Sequence, residues 1–137
     1  MCIRDRQYHE ELQRLARDFQ KSIDMVAISA NDVDHYPQDG PEPMKALFKN
    51  LGLGFPYLYD HTQALTKALK AECTPEFYLY DTNSALVYRG RLDDASPGNP
   101  IEPTGKDLRG ALNSLLSGES ITDYQQPSMG CSIKWKR

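Results

Sequence analysis

Cys73-Thr74-Pro75-Glu76-Phe77-Tyr78-Leu79-Tyr80-Asp81 is the stretch on which the fold turns. After the proline, Phe77 and Leu79 alternate with Tyr78 and Tyr80, the period of two that a strand requires. Asp81-Thr82-Asn83-Ser84 supplies turn chemistry, because short polar side chains bond nearby backbone. Ala85 to Arg91 is a second aromatic and β-branched run, so the two runs predict an antiparallel hairpin. Pro75 lacks an N–H and therefore suits the very start of such a strand.

Working toward the N-terminus, Asp60 and Gln63 have capping-box spacing ahead of Ala64, Leu65, Ala68 and Leu69, which predicts a helix. Phe55 to Tyr59 reads as a short extended segment. Met44, Leu47, Phe48 and Leu51 repeat at helical spacing, with Gly52 where a left-handed cap belongs. Residues 31 to 43 are rich in Asn, Asp, Pro and Gly and predict a loop. The apolar run from Ile23 to Ser29 predicts a central strand buried on both faces. Before it, Leu12, Leu15, Ala16 and Phe19 form one stripe of a helix over residues 7 to 21.

On the other side of the hairpin, residues 93 to 104 predict a loop. Thr104 and Asp107 have capping-box spacing before Leu108, Ala111, Leu112 and Leu115, and this helix stops at Gly118. The pattern implies an α/β fold with a mixed sheet flanked by helices. A first helix lying on a buried strand normally follows another, parallel strand, so a strand upstream of this helix is expected. Met1-Cys2-Ile3-Arg4-Asp5-Arg6 reads as a non-native scar. The organisation expected is therefore a scar over 1–6, a partial domain over 7–118 and a tail over 119–137, which has no clear period.

Composition narrows the classes. The 137 residues fit one core, and 16 Lys and Arg against 19 Asp and Glu give a net charge of -3 with no basic cluster, which argues against nucleic acid. No apolar run approaches the roughly 18 residues of a membrane span, so no membrane partner is expected. The three cysteines, Cys2, Cys73 and Cys131, form no C-x-x-C pair, and His9, His35 and His61 lack metal-ligand spacing, so no metal is expected. Residues 1 to 20 are charged and hold no export signal. A cytoplasmic compartment is favoured, and targeting upstream of residue 7 stays open.

The Cys73 to Asp81 stretch resembles the place in thioredoxin-like proteins where a cis-proline opens the first strand of the C-terminal hairpin. Tyr88-Arg89-Gly90-Arg91-Leu92-Asp93-Asp94 and Pro127-Ser128-Met129-Gly130-Cys131-Ser132-Ile133-Lys134-Trp135-Lys136 are similar to signatures of a peroxiredoxin-like branch of that superfamily, the redoxin or AhpC/TSA grouping. Ile28-Ser29-Ala30-Asn31-Asp32 with Tyr36-Pro37, and Pro56-Tyr57-Leu58-Tyr59-Asp60, resemble the same branch. Together these motifs cover nearly all of residues 7 to 136.

The resemblance implies a thioredoxin-like mixed sheet lacking its first strand and the start of its first helix. It also implies a cis Thr74–Pro75 bond, with Thr74 presenting its main-chain N–H and C=O to an extended substrate segment. The activity implied is that of a thiol-disulfide oxidoreductase or thiol peroxidase, an antioxidant function. Its substrates would be a protein disulfide or a peroxide, its partner a thiol reductant, and no cofactor is implied. Relatives carry their nucleophilic cysteine at the N-terminus of the first helix, where the helix dipole lowers the thiol pKa. No residue of this chain matches that position, so little or no turnover is expected from it.

Cys73 and Cys131 remain as candidate auxiliary or resolving thiols, and Thr74 and Pro75 as substrate-binding residues. A small buried hydrophobe is the other reading of Cys73, and an unpartnered tail cysteine that of Cys131. A Cys73–Cys131 disulfide follows as a hypothesis from their places in two family-like motifs. Arg89, Arg91, Asp93 and Asp94 form either a polar cluster or a solvated loop. The alternative function is a non-catalytic module that holds an extended peptide against Thr74 and Pro75.

Overall fold

The computed structural model describes residues 6–137, so Met1 to Asp5, with Cys2 and most of the expected scar, lie outside the described residues. The fold is mixed α/β, in two compact units. The first comprises Leu12–Glu72 with Ser132–Arg137, and the second comprises residues 6–11 with Cys73–Cys131. Helix α1, His9–Phe19, belongs to the second unit through Glu11 and to the first from Leu12 onward.

In the first unit, Leu15, Ala16 and Phe19 of α1 are buried, as their spacing predicts. Strand β1, Ala27–Ser29, pairs in parallel with β2, Tyr57–Tyr59, placing Ala27 opposite Tyr57 and Ser29 opposite Tyr59. The expectation of a strand over Ile23 to Ser29 buried on both faces is not met. Only three residues pair, and Val26 and Ile28 are 54% and 37% exposed, as is Leu58 at 50%. With one partner strand and period-two alternation, Ala27, Ser29, Tyr57 and Tyr59 share the half-buried face, while Ile28 and Leu58 face water.

After a short 3₁₀ turn at Pro37–Asp39, helix α2 runs from Pro41 to Leu51. Proline opens it because the first helical N–H has no intrahelical partner to lose. Gly52 closes it at φ 67°, where its N–H reaches Lys49 O and Phe48 O, and Leu53 N donates to Phe48 O as well. Helix α3 is only Ala64–Ala68, and the Asp60–Gln63 capping box does not form. Gln63 instead is buried, donates to Ala30 O at 2.6 Å and Lys134 O at 3.0 Å, and accepts Lys136 N at 2.9 Å. Asp60 reaches further along, taking Thr66 N at 2.8 Å and Thr66 Oγ1 at 2.7 Å. Burial pushes the Asp60 carboxyl up, and these bonds outweigh it, so its pKa lies below the ordinary value.

In the second unit, β4, Phe77–Tyr80, and β5, Leu86–Gly90, make the antiparallel hairpin read from the sequence. Leu79 stands opposite Tyr88, and both are buried. A bulge after Leu79 sets Tyr80 opposite Leu86, and Asp81 Oδ1 holds the turn by accepting Asn83 N and Ala85 N. A further pair joins β3, Cys73–Thr74, to β6, Cys131–Ser132. Among the described residues the strands pair as three two-stranded ladders.

The residues after Gly118 carry no period, yet Gln125 and Gln126 pair with β5 and Arg91. Gln125 Nε2 donates to Val87 O, Arg89 N donates to Gln125 Oε1 at 2.8 Å, and Arg91 N donates to Gln126 O at 3.0 Å. This stretch covers the outer edge of β5, which would otherwise leave its N–H groups open. Gly90 permits the approach, since a Cβ there would overlap Gln126 O.

Helix α4, Lys106–Leu116, buries Leu108, Ala111 and Leu112 as predicted, but not through a Thr104–Asp107 capping box. Its first N–H groups, those of Asp107 and Leu108, donate to Leu92 O, and buried Asp93 takes Thr104 N at 2.9 Å and Gly105 N at 2.7 Å. The Leu92 carbonyl thus does the capping and Asp93 holds the two residues before the helix, pairings that local spacing cannot reveal. Replacing Asp93 strips partners from three backbone donors, of which Gly105 N and Ala95 N are buried and Thr104 N half-buried. Asp93→Ala is expected to lower unfolding free energy by about 3 kcal/mol in urea titrations, against about half of that for Asp93→Asn.

Candidate functional site

The candidate site is the corner at Thr74–Pro75, where the peptide bond is cis, as the resemblance implies. Strand β3 brings Cys73 and Thr74 to it, and the segment leading into β6 brings Ser128, Met129 and Gly130. Gly130 lies flat on the Thr74 carbonyl, so closely that a Cβ would overlap that carbonyl's oxygen and carbon. The Thr74 carbonyl, expected to meet an extended substrate segment, is instead met by the chain's own Gly130. Ser128 is fixed there by donating from its hydroxyl to Gly90 O at 2.7 Å.

The two cysteines differ in state. Cys73 is a half-buried thiol whose Sγ lies 3.5 Å from Ser128 O, which accepts its hydrogen bond. Cys131 is disulfide-bonded. The hypothesised Cys73–Cys131 bridge is thus not formed, and the Cys73 thiol points to a carbonyl instead.

Beside Pro75 opens a cavity of about 190 Å³, lined among others by Tyr8, Arg91, Asp93, Asn99, Ser128 and Met129. Tyr8 holds one wall by donating to Ala95 O at 2.9 Å. Arg91 is oriented by Asp107 at 2.6 Å, and although burial works against its charge, the carboxylate raises its pKa further. Tyr88 donates to Arg91 O at 2.5 Å. Burial, aided by Asp107, pushes the Tyr88 phenol up to about 12, so it stays a donor at neutral pH.

Arg89, Arg91, Asp93 and Asp94 do not cluster on one another through hydrogen bonds. Arg89 pairs with Glu76 at 2.8 Å, Arg91 with Asp107, Asp93 with backbone N–H groups and Asp94 with Lys106 at 2.8 Å. Asp93 is buried, so the solvated-loop reading fails for it. Among the described residues, no group of three or more His, Cys, Asp and Glu is placed to hold a metal ion. No described helix is long and apolar enough to cross a membrane.

Sequence reasoning named Cys73, Thr74, Pro75 and Cys131, and the structure places Cys73, Thr74 and Cys131 on the paired strands β3 and β6, with Pro75 directly after. It missed Tyr8, Arg91 and Gly130 as parts of one corner. The Pro127 to Lys136 motif held the signal for Gly130, since a glycine inside an extended segment marks close backbone approach.

The molecule is thus an α/β protein with a cysteine-bearing corner beside a polar cavity. No family model matches the chain, and no curated protein does. Two solved structures match it closely. An uncharacterized conserved protein from Geobacillus kaustophilus is 49% identical with a TM-score of 0.96, over 99% of this chain and 72% of its own. A hypothetical protein from Sinorhizobium meliloti is 42% identical with a TM-score of 0.96, over 99% of this chain and 75% of its own. The chain belongs to the same family as the Geobacillus kaustophilus protein.

Gly130 gives the corner its test. Gly130→Ala must push the segment off Thr74, and is expected to cost about 2 kcal/mol in stability. It should also speed alkylation of Cys73 several-fold under native conditions, read by intact mass. An unchanged alkylation rate would show that the segment does not restrict Cys73.

Proposed function

We propose that this chain is a thioredoxin-like domain of a thiol-disulfide oxidoreductase or thiol peroxidase, of the peroxiredoxin-like kind. The observation that carries the reading is that two cysteines in different states lie on paired strands: the Cys73 thiol on β3 and the oxidised Cys131 on its neighbour β6. Thiol-disulfide exchange requires such a pair, since a thiolate attacks one sulfur of a disulfide and expels the other as thiolate. The hairpin that follows Pro75, and the cavity beside it, suit a protein disulfide or a small peroxide as substrate, with a thiol as reductant.

Among the described residues no cysteine stands at the start of α1, where a helix N-terminus would lower a thiol pKa. On this reading Cys73 and Cys131 serve as auxiliary or resolving sulfurs, and turnover is weak. A second reading, a non-catalytic peptide-binding module, draws on the cavity at Pro75 and on Met129, which is 67% exposed at its rim.

Equilibration in glutathione buffers of graded ratio, followed by alkylation and mass analysis, separates the two. The redox reading predicts reversible opening of the Cys131 disulfide within the range of cellular thiol buffers, together with peroxide consumption close to the blank rate. A disulfide that never re-forms, with peptide binding unchanged in Cys73→Ser and Cys131→Ser, would replace it with the binding module.

A further inference from the structure

A second cavity, of about 390 Å³, lies wholly within the first unit, between α2 and β2. Its volume falls in the range of small-molecule pockets, roughly 300 to 1,000 Å³. Phe48 of α2 meets Phe55 edge-on with ring centroids 5.4 Å apart and leans on Tyr57 at 5.1 Å, and Tyr59 extends the same surface. All four rings are only half-buried, so the cluster offers aromatic faces and edges to the cavity and not a closed core.

Charge is distributed unevenly around this floor. Lys45 and Lys49, one helical turn apart on α2, both line the cavity together with Glu42, while Asp39 acts on Tyr57, and Asp32, Asp34 and Asp60 act on Tyr59, from outside the lining. Neither lysine forms an ion pair among the described residues.

We propose that this cavity binds a small planar aromatic carboxylate, its ring on Phe48, Phe55 and Tyr57 and its anionic group toward Lys45 and Lys49. The rings supply apolar area and edge-to-face contacts, and the two ammonium groups select a negative charge over a neutral isostere. The site is separate from the cysteine corner and does not depend on its chemistry.

The test uses the full chain and 4-hydroxyphenylacetate as probe, with its neutral amide as control, followed by two-dimensional amide NMR and calorimetry. Saturable shifts confined to α2 and β2 are expected, with affinity for the amide at least tenfold weaker. The exposed-rim variant Lys45→Glu/Lys49→Glu, which disturbs no packing, should lose at least tenfold for the acid and nothing for the amide. Equal affinity for acid and amide, affinity unchanged in the rim variant, or no shifts at millimolar probe would each overturn the proposal.

Discussion

Everything in the second unit depends on the return of residues 125 to 131 to the hairpin. An outer strand such as β5 exposes a row of N–H and C=O groups, and a short protein must cover that row or leave it open to foreign strands. Here Gln125 and Gln126 cover it, with Arg89 N, Arg91 N and Val87 O all satisfied by that stretch. Each such bond contributes about 1 kcal/mol, which is modest singly and decisive for a two-stranded ribbon. Once it lies there, Ser128 is tied to Gly90, Gly130 meets Thr74, and Cys131 enters the strand beside Cys73.

The same logic places the polar wall of the site. Asp93 is spent on the start of α4, so it positions the loop instead of acting on solvent. Arg91 is held by Asp107 from within that helix, and Tyr88 bonds the Arg91 carbonyl from β5. The loop that Asp93 holds, the ion pair and the cavity wall therefore all meet at the start of α4.

How far the sequence could be read depends on whether each feature leaves a local mark. Helix α2 and its Gly52 cap were legible because a left-handed cap favours glycine and an apolar stripe has a period. The hairpin was legible for the same reason, its turn being made by Asp81 within four residues. Gln63 misled, because its spacing from Asp60 fits a capping box while its side chain joins Ala30, Lys134 and Lys136, up to 73 residues away. The run Ile23 to Ser29 also misled: apolarity says that a face favours cover, and Val26 and Ile28 show that cover need not follow. The corner's cysteines and proline were named in advance, but Gly130 and Arg91 join it only through pairings that no short window contains.

Native-state hydrogen exchange reads the central constraint most directly. If residues 125 and 126 close the edge of β5, the Arg89 and Arg91 amides should exchange as slowly as the buried Leu79 amide, at the rate set by cooperative opening. Exchange of those two amides at the rate of an exposed loop, with Leu79 still protected, would mean that the edge is open and that the corner is not built as described.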